Sequence, residues 1–191
     1  VGAAASLTVT LKALAEENDE FITFAPFFPE YRVFVEGTGA SLTVVPAGPD
    51  MSLDLIAFEK AIGSRTKGVI INSPNNPSGA VYSEEQIKSL CSILVSKEKE
   101  YGHPIFLISD EPYREIVYDG ITVPYVMNYY DDSIVCYSYS KSLSLPGERI
   151  GYVAVNPLCT DAQNIYYAIC GAGRVLGYVC APSLFQRVVA K

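Results

Sequence analysis

Short, continuously apolar runs rich in β-branched residues recur along this chain, and each is followed by a stretch with helical spacing. Gly68-Val69-Ile70-Ile71-Asn72, Ile105-Phe106-Leu107-Ile108-Ser109 and Ser133–Tyr137 have the composition of strands buried on both faces, as in a parallel sheet. Phe21–Phe24, ended by Pro26, then Ser41–Val45 and Gly151–Val155 read as further strands. Helical periodicity covers Ala5–Glu17, Tyr31–Val35, Leu53–Ile62 with Asp50 or Ser52 near its start, Asp161–Ile169 and Ser183–Ala190. The longest helix runs from Ser83 to about Tyr101, with Ser83 and Gln86 at capping-box spacing. Strands alternating with helices imply right-handed βαβ crossovers, so the expected fold is α/β: a mostly parallel central sheet with helices on both faces, in one unit spanning residues 1–191.

Composition narrows the partners. Fourteen Lys and Arg against 21 Asp and Glu give a net charge of −7, which argues against a nucleic acid or an anionic membrane surface. No apolar run approaches the roughly 18–20 residues of a membrane helix. Cys91, Cys136, Cys159, Cys170 and Cys180 are widely spaced and form no CxxC, a pattern of reduced thiols and a cytoplasmic location. One histidine, His103 in a Gly-His-Pro turn, gives no basis for a metal site. The chain opens on Val1-Gly2-Ala3-Ala4-Ala5 without Met and stops at Lys191 inside a helical stretch, and it reads as a fragment.

In open α/β sheets the ligand lies at the carboxyl ends of the strands, here just after Asn72, Ser109 and Tyr137. Those places hold the chain's unusual clusters: Asn75-Asn76-Pro77-Ser78-Gly79, Asp110-Glu111-Pro112-Tyr113 and Ser138-Tyr139-Ser140-Lys141. Lys141 alone is a solvated loop lysine; beside other cations and desolvated, it is an amine with a lowered pKa, able to form a Schiff base. Arg149 with Ser138 and Ser140 makes a phosphate clamp, since a guanidinium grips phosphate in a bidentate way. Asp110 follows a buried strand, where a carboxylate either caps a turn or faces a cation. Tyr113, three residues on, can offer its hydroxyl to a ligand oxygen. Asn76 has a backbone restricted by Pro77, and alone it is a turn asparagine. Gly171-Ala172-Gly173-Arg174-Val175-Leu176-Gly177 misses the dinucleotide fingerprint by one residue and follows a helical stretch, so its mechanical requirements fail.

In order and spacing, Ser73-Pro74-Asn75-Asn76-Pro77-Ser78-Gly79, then Ser109-Asp110-Glu111-Pro112-Tyr113, then Ser138-Tyr139-Ser140-Lys141-Ser142 and Pro146-Gly147-Glu148-Arg149-Ile150-Gly151-Tyr152 resemble the large domain of fold-type I pyridoxal-phosphate aminotransferases of class I/II. The resemblance implies a three-layer cofactor domain, with pyridoxal 5'-phosphate held by Lys141 as the Schiff-base lysine and Asp110 pairing with the pyridine nitrogen. It makes Tyr113 and Asn76 donors to the ring's phenolic oxygen, and Arg149, Ser138 and Ser140 phosphate ligands. Gly2, Ala3 and Ala4 resemble the turn whose backbone N–H groups meet the phosphate at a helix N-terminus. Phe28 falls where the family stacks an aromatic ring on the cofactor. The implied substrates are an amino acid and a 2-oxo acid, the implied assembly is a homodimer, and the smaller domain with its substrate-carboxylate arginine has no counterpart here. Another fold-type I reaction, such as elimination or decarboxylation, and a non-catalytic sensor or dimerisation domain are the alternative readings.

Overall fold

The computed structural model describes residues 2–191; Val1 lies outside the described residues. Six strands form one sheet: β1 (Glu20–Phe24), β2 (Ser41–Val45), β3 (Thr66–Asn72), β4 (Phe106–Asp110), β5 (Ser133–Ser138) and β6 (Gly151–Val155), in the spatial order β2-β1-β3-β4-β5-β6. All neighbours are parallel except β5 and β6. The helices are α1 (Gly2–Leu14), α2 (Glu30–Glu36), α3 (Leu55–Ala61), α4 (Glu84–Tyr101), α5 (Tyr139–Ser142), α6 (Ala162–Val175) and α7 (Ser183–Val189). The α/β expectation holds, with a mostly parallel sheet.

Side chains alternate across the sheet because the strand period is two. Val69, Ile71, Leu107, Val135 and Tyr137 pack in one core with Phe58 of α3 and Leu90 and Leu94 of α4. Ile70, Phe106, Ile108, Ile134 and Cys136 pack in the other with Leu7 and Leu11 of α1, Tyr31 of α2 and Ile165 of α6. Both faces are therefore covered, which is why the strand sequences are continuously apolar. Leu107 is fully buried in the middle of β4. Leu107→Ala is expected to destabilise the protein by about 2–5 kcal/mol, the usual cost of truncating a buried leucine, read as a lowered denaturant midpoint with an unchanged slope.

Local signals are accurate where a cap decides the boundary. Ser83 Oγ accepts from Gln86 N at 3.2 Å while Gln86 Oε1 accepts from Ser83 N at 3.0 Å, the reciprocal pair expected from the spacing. Three helices differ by more than one residue at an end. α3 is capped by Asp54, whose Oδ1 accepts from Ala57 N at 2.9 Å, and not by Asp50 or Ser52. The reason is a small loop in which Leu53 bridges to Ala47 and Gly48 N bonds Ser52 O, so the chain is still extended at Leu53. α1 begins at Gly2 and ends at Leu14, against the expected Ala5–Glu17. α6 runs on to Val175, through Gly171-Ala172-Gly173, because the helix buries Ile165, Ile169 and Ala172 along one stripe.

Candidate active site

One cavity of about 260 Å³ opens at the carboxyl ends of β1, β3, β4 and β5, and Ala3, Ala4, Phe28, Asn76, Asp110, Tyr113, Ser138, Ser140, Lys141 and Arg149 all line it. Of the residues singled out from sequence, Gly2 alone stands behind the wall, where a Cβ would lie 2.5 Å from Arg149 Nη2. With φ of +81° as well, that position demands glycine, and the bare backbone lets the guanidinium lie against the start of α1. The antiparallel turn of β6 explains Arg149. It precedes its strand in sequence, yet the reversed direction brings it to the same end of the sheet as Ser138.

Two hydrogen-bonded turns fix the rim. Asn75 accepts from Ser78 N at 3.0 Å and from Ser78 Oγ at 2.8 Å, and donates to Pro26 O at 3.2 Å, so the Asn75–Gly79 loop is tied to the segment after β1. Ser138 caps α5: its Oγ accepts from Ser140 N at 3.1 Å and meets Ser140 Oγ at 2.7 Å. Arg149 Nη1 donates to Pro146 O at 2.7 Å. Lys141, on the first turn of α5, is exposed, with Nζ 5.9 Å from the centre of the Tyr113 ring. This departs from the desolvated lysine expected from sequence: Lys141 lines the cavity while staying exposed to solvent.

Asp110 is the unusual group. It ends β4, is buried, and its Oδ2 accepts from Tyr31 Oη at 2.5 Å, while Oδ1 is buried with no hydrogen-bond partner. Burial pushes its carboxyl up to about 7; the Tyr31 hydrogen bond opposes that shift, and the neighbouring Glu111 charge adds to it. Burial, and then the Asp110 charge, also raises the Tyr113 phenol. A charged oxygen buried without a hydrogen-bond partner is costly unless a donor reaches it.

Sequence reasoning misses two residues. Asn72 donates from Nδ2 to Asp110 O at 2.8 Å and accepts at Oδ1 from Asn76 N at 2.6 Å, joining the ends of β3 and β4. The available signal is a polar residue closing an apolar strand run. Tyr31 reads in sequence only as part of a short helix, and its place one helical turn after Phe28 is the hint.

An open α/β sheet here brings a buried carboxylate, an amine and a guanidinium around one cavity at its carboxyl edge, where sheets of this kind bind their ligands. The sequence matches the class I and II aminotransferase family over residues 1–191, and the chain belongs to that family. It is similar to an aminotransferase from Eubacterium rectale whose crystal structure superposes with a TM-score of 0.98 at 62% identity, covering 100% of this chain and 48% of that one. Among curated proteins it is 33% identical to a probable aspartate/prephenate aminotransferase of Aquifex aeolicus, over 80% of this chain and 39% of the relative. It is also 31% identical to a probable kynurenine–oxoglutarate transaminase of Saccharomyces cerevisiae, over 99% of this chain and 43% of the relative. The chain thus spans about two fifths of the curated relatives it matches. Among the described residues no helix is long and apolar enough to cross a membrane.

Proposed function

We propose that this chain is a pyridoxal-phosphate-binding domain, and that the protein carrying it moves an amino group between an amino acid and a 2-oxo acid. The observation that carries the reading is the unpartnered, buried Oδ1 of Asp110 in a cavity also lined by Lys141 and Arg149. When bound, the cofactor supplies a carbonyl that an amine can capture and a protonated ring that withdraws electrons from the carbon being deprotonated.

The chain's own residues do the rest. Asp110, ionised, would accept a hydrogen bond from the cofactor's ring nitrogen and favour its protonated form. Tyr113 and Asn76 would donate to the cofactor's phenolic oxygen, and Phe28 would pack against the ring. Arg149 would bind the phosphate with Ser138 and Ser140, and the N–H groups at Gly2, Ala3 and Ala4 would add the positive end of α1. Lys141 would supply the amine that captures the cofactor's carbonyl, and its Nζ would then hold and move a proton as a general acid–base. Exposure at the cavity mouth gives that amine access to incoming substrate.

The protein is proposed to work in the cytoplasm as a homodimer. The five cysteines are all free thiols, as a reducing compartment maintains them. Exposed Tyr167, Val175, Val179 and Leu184 on and beside α6 and α7 offer apolar surface for a second subunit. The test is a titration of the full-length protein with pyridoxal phosphate, followed by borohydride and peptide mapping. A long-wavelength absorbance band that is reduced onto Lys141 supports the reading; no bound cofactor, or a label on another lysine, overturns it.

A further inference from the structure

We propose that Tyr31 is a positioning residue that takes one oxygen of Asp110, leaves the other to the ligand, and holds that carboxyl in its charged form. The inference rests on the cofactor reading above. A carboxylate has two equivalent oxygens until one is occupied. Tyr31 Oη occupies Oδ2 at 2.5 Å, and the Asp110 main chain is pinned separately by Asn72 Nδ2 on its carbonyl oxygen at 2.8 Å. With backbone and one oxygen fixed, Oδ1 has a single orientation, and it is the buried acceptor that has no partner.

Titratable groups around the pair come from several elements. Tyr31 arrives from α2 and the Cys136 thiol from β5, Glu111 and Tyr113 lie on the loop that follows Asp110, and Tyr82 approaches Tyr31. Glu111 opposes the charged form of Asp110, while the Tyr31 hydrogen bond favours it. Burial first, and then the charge of Asp110, raises the Tyr31 phenol well above its ordinary 10, so Tyr31 remains a donor throughout the working pH range. A donor that never ionises is suited to hold a carboxylate whose own titration falls near neutrality.

The same turn sets the stacking ring. Tyr31 N donates to Phe28 O at 3.0 Å, and the two rings meet edge to face with centres 5.7 Å apart. The Phe28–Tyr31 segment therefore delivers the ring that covers the cofactor face and the hydroxyl that orients the carboxylate at its edge.

The experiment compares wild type with Tyr31→Phe in the full-length protein. The first readout, which needs no cofactor, is the Asp110 carboxyl titration followed by carbon NMR; the midpoint is expected to rise by about one pH unit or more, the range of a hydrogen bond to a charged group. The second is pyridoxal phosphate affinity against pH. It should fall about tenfold near pH 7 and recover above the new midpoint. In an Asp110→Asn background the same substitution should have no pH-dependent effect. Should Tyr31→Phe not fold, 3-fluorotyrosine at position 31 keeps the hydroxyl, strengthens the donor and should move the Asp110 midpoint down. An unmoved midpoint, or an affinity loss equal at every pH, means that Tyr31 only fills space and overturns the inference while the cofactor reading stands. A wild-type protein with no affinity for pyridoxal phosphate overturns both.

Discussion

Lys141→Ala in the full-length protein is expected to abolish the borohydride-reducible cofactor adduct and to lower amino transfer by at least about 10²–10⁴-fold, the share that a positioned acid–base group commonly supplies. The loss should be chemical and not structural. Lys141 is exposed on a turn fixed by other groups: Tyr139 N bonds Ile150 O at 3.1 Å, and Ser138 caps the turn. A surface substitution of this kind changes stability by about 0.5 kcal/mol or less, so the melting curve should stay in place. Single-turnover kinetics and the spectrum of the bound cofactor check the result. A Lys141→Ala protein that still gave a reducible adduct in the same proportion would remove the lysine from its role.

Asp110→Asn should separate stability from function. The folded carboxyl titrates near 7 against 3.8 unfolded. The native state therefore binds the proton more tightly, and the stability contributed by Asp110 is complete below about pH 4 and is lost as pH rises through 7. The shift corresponds to a few kcal/mol at most across that window. In the cofactor-free protein Asp110→Asn should flatten the decline of stability between about pH 4 and 7 and leave the variant on the order of 1–3 kcal/mol more stable at pH 8, after allowing for a buried amide N–H that finds no partner. Amino transfer should fall about 10²–10³-fold, as when a preorganised electrostatic partner is removed. Denaturant melts at several pH values, beside activity assays on the full-length protein, test both halves; a variant less stable than wild type at pH 8 would contradict the account of the buried charge.

Residues whose role follows from place in the chain are legible in the sequence. Val69–Ile71 and Ile105–Ile108 declare themselves as buried strands by continuous apolar character, and Asn76, Asp110 and Lys141 stand out because they follow such runs. Tyr31 and Asn72 are not legible, because their partners are set by sheet register and helix packing. Asn72 reaches Asp110 only because β3 and β4 pair those two residues side by side, and Tyr31 reaches it across 79 positions. The start of α3 is misplaced for a similar reason: Asp50, Ser52 and Asp54 are comparable caps in sequence, and the Ala47–Leu53 bridge selects among them. The exposure of Lys141 depends on where α5 leaves the sheet, which local pattern does not encode.

The reversal of β6 carries one more consequence. Because the chain turns back after α5, the amine and the guanidinium lie at the two ends of a single loop, Lys141 to Arg149. That loop works as a caliper. The span between the Lys141 amine and the Arg149 guanidinium is set within one short stretch of chain, stiffened by the Arg149 to Pro146 hydrogen bond and by the packing of Arg149 against Gly2 at the start of α1. A ligand with a longer or shorter tail would be accommodated by inserting or deleting residues between Ser142 and Glu148 before any change in the strands themselves.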